Sequence, residues 1–489
     1  MKRIQLFALA AALMIAAACS DDISDVGGDI SPTEPTSEQM PEVTFTPEEM
    51  GYLTELANGT PKISVDSAAK VALQVMGNRL SKSTLSVTAF GTPKAGSLSK
   101  SFFDSDIDTT LYVFNAPGGN GFAVISADAR IPQQVLAYSE DGNLELDSDN
   151  PAFDVFLSYA TDYAAECIAK AQEQRDSIEN SILEKLGIEL DQESTKSLSK
   201  KEVLCKVLLT NLCTKNTFVQ IVSEVTPLIK TNWNQRTPYN DDCGHPASCS
   251  KGYAAGCVAI ATSQLLTFWR YPSTIGGRFY LWDIIGNDVN KNDATYKKQV
   301  ASLVRFVGNR LKTDYNCGHS YAKLKKVLPL MKKLDYSVPA HLCNYKYEKV
   351  VGSLNNGCPV LIQGYGSKKN YVVFNNYEDG HTWLIDGYVH QNIQTYSTLK
   401  YVVVERDDDG VISSHYEDGG STYSVKTYKY LHFNWGWGDG NNGYYCQDVF
   451  HVGERYVVGN DGCYEHSKPR INENENYKYN IEIAVNIHK

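Results

Sequence analysis

Gly256-Cys257-Val258-Ala259-Ile260-Ala261-Thr262-Ser263-Gln264-Leu265-Leu266-Thr267-Phe268-Trp269-Arg270, followed by Tyr271-Pro272, is the stretch that decides how this 489-residue chain reads. From Val258 to Trp269 it holds no charge, no Gly and no Pro, and its apolar residues are spaced for a buried helix. Cys257 falls on the first turn of that helix. There the unpaired backbone N–H groups and the positive end of the helix dipole favour a thiolate, the form that attacks. Taken alone, a Cys among small apolar residues is more often a buried hydrophobe. Other blocks of the chain decide between the two.

Upstream lies Trp233-Asn234-Gln235-Arg236-Thr237-Pro238-Tyr239-Asn240; downstream, Gly380-His381-Thr382-Trp383-Leu384-Ile385-Asp386-Gly387-Tyr388 puts a His at the start of an apolar strand. Asn434-Trp435-Gly436-Trp437-Gly438 then follows the run Tyr428 to Phe433. In this order the four blocks resemble the streptopain family of papain-like cysteine peptidases. The resemblance covers roughly residues 220 to 450 and, more loosely, the region before it. It implies an α+β fold: a papain-like two-lobe catalytic domain, with a helical lobe that carries the active-site helix and an antiparallel sheet lobe, preceded by an α+β propeptide domain. The implied activity is that of a cysteine endopeptidase made as a zymogen. Carried over residue by residue, Cys257 is the nucleophile and His381 its base. Asn434 orients the imidazolium, Trp435 covers the pair from water, and Gln235 joins the N–H of Cys257 in receiving the oxyanion. No metal or organic cofactor is implied. The Cys-to-His interval of 124 residues is near the 130 to 150 or so of papain-type enzymes. The local papain motif, Cys-Gly-Ser/Ala-Cys-Trp/Tyr, is absent, so a plain papain is excluded.

At the N-terminus, Lys2-Arg3 precedes an apolar run from Ile4 to Ala18, the pattern of a signal peptide, too short for a stable membrane span. Ala16-Ala17-Ala18-Cys19 resembles a bacterial lipobox, which implies lipid attachment at Cys19 and a mature lipoprotein of the outer membrane or cell surface; an ordinary cleaved signal is the alternative. Ser20-Asp21-Asp22 resembles the acidic signal that exports such lipoproteins to the surface. The membrane would then be a partner only through the lipid. Residues 1–19 are thus signal peptide and 20–47, rich in Ser, Thr, Pro and acids, a flexible tether.

A net charge of -11 offers no basic patch for nucleic acid, and the partners expected are protein or peptide substrates and the chain's own propeptide. The 31 Tyr and 6 Trp suit either an extended cleft or a core. Of 12 Cys, removing Cys19 and Cys257 leaves ten, whose pairing the sequence does not fix. Cys243 and Cys249 are near enough to close a short loop. A Cys243/His245/Cys249 metal site is disfavoured, because no second ligand pair at finger-like spacing follows.

Within residues 48–205, Ser64 to Leu80 predicts a helix capped by Ser64. Leu111–Ala116 and Phe122–Ala127 predict a hairpin around Pro117-Gly118-Gly119-Asn120-Gly121, and Pro151 opens a helix running on to Leu186. This unit is similar to the family's inhibitory propeptide; a permanent accessory domain is the alternative. Lys196, Lys200 and Lys201 lie in a polar junction, and processing is expected between residues 190 and 222. Residues 206–489 form the peptidase domain. There, Thr295–Leu311 and Ser320–Leu334 predict amphipathic helices, and β-branched and aromatic runs from Gly357 to Tyr445 predict a largely antiparallel sheet.

Two departures from the family stand out. The 53 residues from His381 to Asn434 exceed the family's interval, with the excess expected in the Gly-rich run Asp407 to Ser424; and Gly438-Asp439-Gly440-Asn441-Asn442-Gly443-Tyr444 breaks the usual pattern after the second Trp. Two rival functions remain on the same residues: a non-catalytic surface binding protein, and a Cys-His acyltransferase of transglutaminase type.

Overall fold

A computed structural model describes residues 43–76, 85–93, 107–144, 151–185, 211–364, 380–406, 412–438, 440–450, 456–458, 464–466 and 481–489. The expected signal peptide, Cys19, the expected tether up to residue 42 and the lysines of the expected junction lie outside the described residues.

The N-terminal unit begins earlier than its composition suggests. Strand β1 (Val43–Thr44) leads into helix α1 (Pro47–Asn58), where Thr46 and Glu49 cap each other's backbone N–H groups and Pro47 opens the first turn. Helix α2 (Val65–Val75) has Ser64 as its N-cap and buries Ala68, Ala69 and Ala72. Strands β2 (Ser86–Pro93), β3 (Ile107–Asn115), β4 (Phe122–Ser126) and β5 (Val135–Ser139) form an antiparallel meander. The long helix expected after Pro151 is two helices, α3 (Pro151–Glu173) and α4 (Arg175–Lys185).

Strand β6 (Asn211–Val225) enters the second unit, whose helical lobe is built from α5 (Cys257–Trp269), α6 (Ala294–Leu311) and α7 (Val327–Lys333). Asp293 caps α6 by accepting from the N–H groups of Thr295 and Tyr296. The helix expected from Ser320 starts later, because the Ser320 hydroxyl is engaged at 2.6 Å with the Ala254 carbonyl and Pro329 fits only a first turn. The sheet lobe comprises β7 (Cys343–Asn344), β8 (Val360–Gly364), β9 (His381–Arg406), β10 (Ile412–Asn434), β11 (Gly443–Cys446) and β12 (Glu482–Ala484), with helix α8 (Tyr347–Asn355) before β8.

One sheet runs through both units in the order β2-β3-β4-β5-β11-β10-β9-β8-β12-β7. The join is Ala137 and Tyr138 of β5 against Tyr445 and Tyr444 of β11. The central strands are apolar on both faces. Val360 and Ile362, Trp383 and Ile385 face a core shared with the N-terminal unit; Leu361 and Leu384, alternating with them, face the core of α5 to α7. The extra length between His381 and Asn434 is one long hairpin, β9 on β10, paired out to Arg406 and Ile412. Along it β6 adds a third antiparallel strand, and β1 joins β10 in parallel at Thr422 and Tyr423.

Candidate active site

Helix α5 starts at Cys257 because Gly256 ends the preceding extended loop at φ 92°, a conformation that suits glycine. A Cβ there would also lie 3.2 Å from the Ser320 carbonyl oxygen. Lacking a side chain, Gly256 makes no cap bond and leaves the first-turn N–H groups open to the Cys257 sulfur. Cys257 keeps some exposure, yet protein crowds its sulfur on nearly every side. That burial pushes the thiol up, against the pull of the Thr382, Val258 and Cys257 N–H groups.

Gln235 is buried, and its carbonyl accepts from the Ala255 N–H at 3.0 Å, which sets the residue beside the entrance to α5. The loop on the far side is pinned to the same segment. A Cys249–Cys317 disulfide ties it down, Arg236 donates to the Cys317 and Gly318 carbonyls at 2.9 and 3.3 Å, and Ala254 N–H donates to the Asn316 carbonyl. Cys243, the cysteine closest in sequence to Cys249, is a free buried thiol pushed up to about 11 by its burial.

His381 opens β9 opposite Gly364 and has no exposed surface. Its ring stacks at 10° on Trp383, centroids 5.9 Å apart, and lies 6.1 Å from Trp435. Nε2 sits 2.8 Å from the Trp435 carbonyl oxygen, while Nδ1 has no hydrogen-bond partner. A carbonyl can only accept, so Nε2 carries the proton and Nδ1 is the free base. Burial holds the imidazole down to about 4; the Trp435 carbonyl works against this and a nearby imidazole, His319, adds to it.

The structure brings the Cys257 sulfur to Thr382, the chain neighbour of His381, without joining thiol and imidazole. Thr382, on the β9 face that turns toward α5, directs its N–H at the Cys257 sulfur; His381, one residue earlier, shares the opposite face with Trp383. In this form the thiol and the imidazole are both neutral at pH 7, and no bond links them. Asn434 makes no hydrogen bond with His381 either. Its amide donates to the Thr231 carbonyl at 2.8 Å and accepts from Gln264 at 3.1 Å and from the Gly436 N–H at 3.3 Å. Between Asn434 and Trp435, which the sequence left undecided, the group bonded to the imidazole is the carbonyl of Trp435. Thr382 and Gln264 were missed: a Thr at a strand start has no signature, and a Gln within an apolar helix was a signal left unused.

The N-terminal unit reaches this region through α3. Tyr159 is buried, and its hydroxyl lies 3.0 Å from a Cβ built on Gly364, beside the Trp383 ring. Phe156 packs edge-on against Tyr445, centroids 4.7 Å apart, and Tyr445 stacks on Phe433.

Residues 233–445 match the peptidase C10 family, and residues 60–164 match the Spi protease inhibitor family. Streptopain of Streptococcus pyogenes is 20% identical over 380 residues, covering 70% of this chain and 74% of its own. Among solved structures, a mutant prointerpain A fragment from Prevotella intermedia aligns over 83% of this chain and 99% of its own, at 18% identity and a TM-score of 0.42. Active interpain A of the same organism aligns over 55% and 97%, at 18% identity and a TM-score of 0.34. With an inhibitor-family unit ahead of a peptidase unit that matches the peptidase C10 (streptopain) family over residues 233–445, the chain is a cysteine endopeptidase made as a zymogen.

Proposed function

We propose that Cys257 is the nucleophile and His381 the base of this peptidase, and that residues 48–205 act as the inhibitory propeptide of a surface lipoprotein anchored at Cys19. The observation that carries the site assignment is the fixed tautomer of His381, with Nε2–H on the Trp435 carbonyl and a bare Nδ1 one residue from Thr382, which meets the Cys257 sulfur. In the active form Nδ1 takes the thiol proton, and the thiolate bonds to the carbonyl carbon of a protein or peptide substrate. The carbonyl electrons move onto oxygen, where the Cys257 N–H and the Gln235 side chain receive the charge. Collapse expels the amine, which takes the proton from Nδ1, and water then hydrolyses the thioester with His381 again as base. No cofactor is called for.

In the precursor the imidazole faces Trp383 rather than the thiol, so activation requires the start of β9 to turn. The propeptide supports the resting arrangement from behind, through Tyr159 against Gly364 and Trp383. Incubation of processed protein with casein tests the function. Peptide fragments that vanish with Cys257→Ser support it; an unchanged substrate, or cross-linked casein, would point to a binding protein or an acyltransferase.

A further inference from the structure

Seven residues beyond Cys257, two turns along the same face of α5, lies a fully buried polar side chain that the reaction does not use. Gln264 accepts through Oε1 from the Thr231 hydroxyl at 2.9 Å and from the Trp233 N–H at 3.3 Å. Through Nε2 it donates to Asn434 Oδ1 at 3.1 Å. Asn434 closes the ring by donating to the Thr231 carbonyl and accepting the Gly436 N–H. Neither amide can be reversed, because Trp233 and Gly436 offer backbone N–H groups that only donate, and Thr231 offers a carbonyl that only accepts.

The ring spans both sides of the candidate site. On one side it fixes residues 231–233, two positions before Gln235. On the other it fixes Asn434, one position before the carbonyl that holds His381 Nε2. A second bridge runs parallel to it: Asn442 accepts from the Trp435 N–H at 2.9 Å and donates to Asn232 Oδ1 at 3.1 Å. The departing motif after the second Trp thus supplies a clamp on the Trp435 peptide itself. Inside the protein such bonds are strong and an unmet member is costly, so the ring has one geometry.

We propose that Gln264 is a positioning residue that locks the oxyanion segment 231–235 and the His-orienting carbonyl of Trp435 in register on the nucleophile's own helix, with Asn434 as its relay. Asn434 thereby acts on His381 through the backbone of the next residue and not by a hydrogen bond of its own. The inference rests on Cys257 and His381 being the reacting pair.

The test uses the full chain, activated in trans by immobilised parent enzyme. The comparison is between parent, Gln264→Met, which keeps the length of the side chain, and Thr231→Val, which removes only the hydroxyl that donates to Gln264. Turnover is expressed per site titrated with an iodoacetamide-type peptide inhibitor. Gln264→Met is expected to lower kcat by about 10- to 100-fold with KM within about 3-fold, and to move the acid limb of the alkylation rate against pH; Thr231→Val should give a smaller fall of the same kind. A role in stability alone would lower the melting temperature and leave kcat per titrated site and the pH profile at parent values. That result, in either variant that folds, overturns the proposal. Cys257→Ser is assayed alongside: full turnover in that variant would bring down the assignment of the pair itself, whereas its inactivity together with a normal Gln264→Met would bring down the positioning role alone.

Discussion

At the scale of single residues, the chemistry depends on which polar atoms are committed and which are left bare. His381 Nε2 is committed to the Trp435 carbonyl and Nδ1 is bare; Cys257 has backbone N–H groups around its sulfur and no side-chain cap competing for them. On the oxyanion role proposed for Gln235, steady-state kinetics on processed Gln235→Ala should show kcat lowered about a hundred- to a thousand-fold with little change in KM. A normal kcat with a raised KM would assign Gln235 to binding. The buried imidazole also makes the precursor acid-sensitive. Its folded pKa of about 4 lies below its ordinary value of 6.5, so in between the unfolded chain binds more protons than the folded one. The stability this group contributes is whole above pH 6.5 and is lost as pH falls toward 4, to the extent of up to about 3 kcal/mol. Urea midpoints of the Cys257→Ser precursor at pH 7 and pH 4.5 should differ by more than those of Cys257→Ser/His381→Gln. Equal differences would remove His381 as the source.

At the scale of elements, what could be read depended on how local the cause was. Helix α5 begins where a Gly gives way to a mostly apolar, uncharged run, and Cys257 was legible on its first turn. The hairpin of β3 and β4 was legible from its Gly-rich turn. Helix α1 was missed although Thr46-Pro47-Glu48-Glu49 carries a complete capping box, because the surrounding composition resembles a tether. Strand β6 was not legible at all, since only the distant hairpin arm pairs with it, from Asn211 against Lys400 to Val225 against Tyr388. That pairing narrows the processing site. A peptidase cleft takes an unpaired, extended chain, and a strand bonded along its length to β9 does not offer one. N-terminal sequencing of the mature enzyme should therefore begin before Asn211, so that β6 stays with the peptidase. A mature start within residues 211–225 would mean that the strand detaches before cleavage.

At the scale of the whole molecule, propeptide and peptidase are one sheet over one shared core. Phe122 and Phe156 from the first unit, and Phe433, Trp435 and Tyr445 from the second, are all buried in the same cluster. The order of the blocks foretold two units and their roles, but not that β5 would hydrogen-bond to β11, because strand pairing across units leaves no local mark. Burial of large aromatics stabilises by roughly 1.5–3 kcal/mol each, so a peptidase made without its propeptide leaves a face of its sheet uncovered. Residues 206–489 expressed alone should yield little soluble protein, and co-expression of residues 43–205 as a separate chain should restore it; equal yields would show that the two units fold independently. The central claim is a zymogen that frees itself with Cys257. Intact-mass spectrometry of purified parent and Cys257→Ser precursors over time tests it most directly. The account predicts that the parent shortens to a species starting before Asn211 while the Ser form keeps its full mass; a Ser form that shortens at the parent's rate, or a parent that stays whole yet cleaves casein as fast as any truncated form, would contradict it.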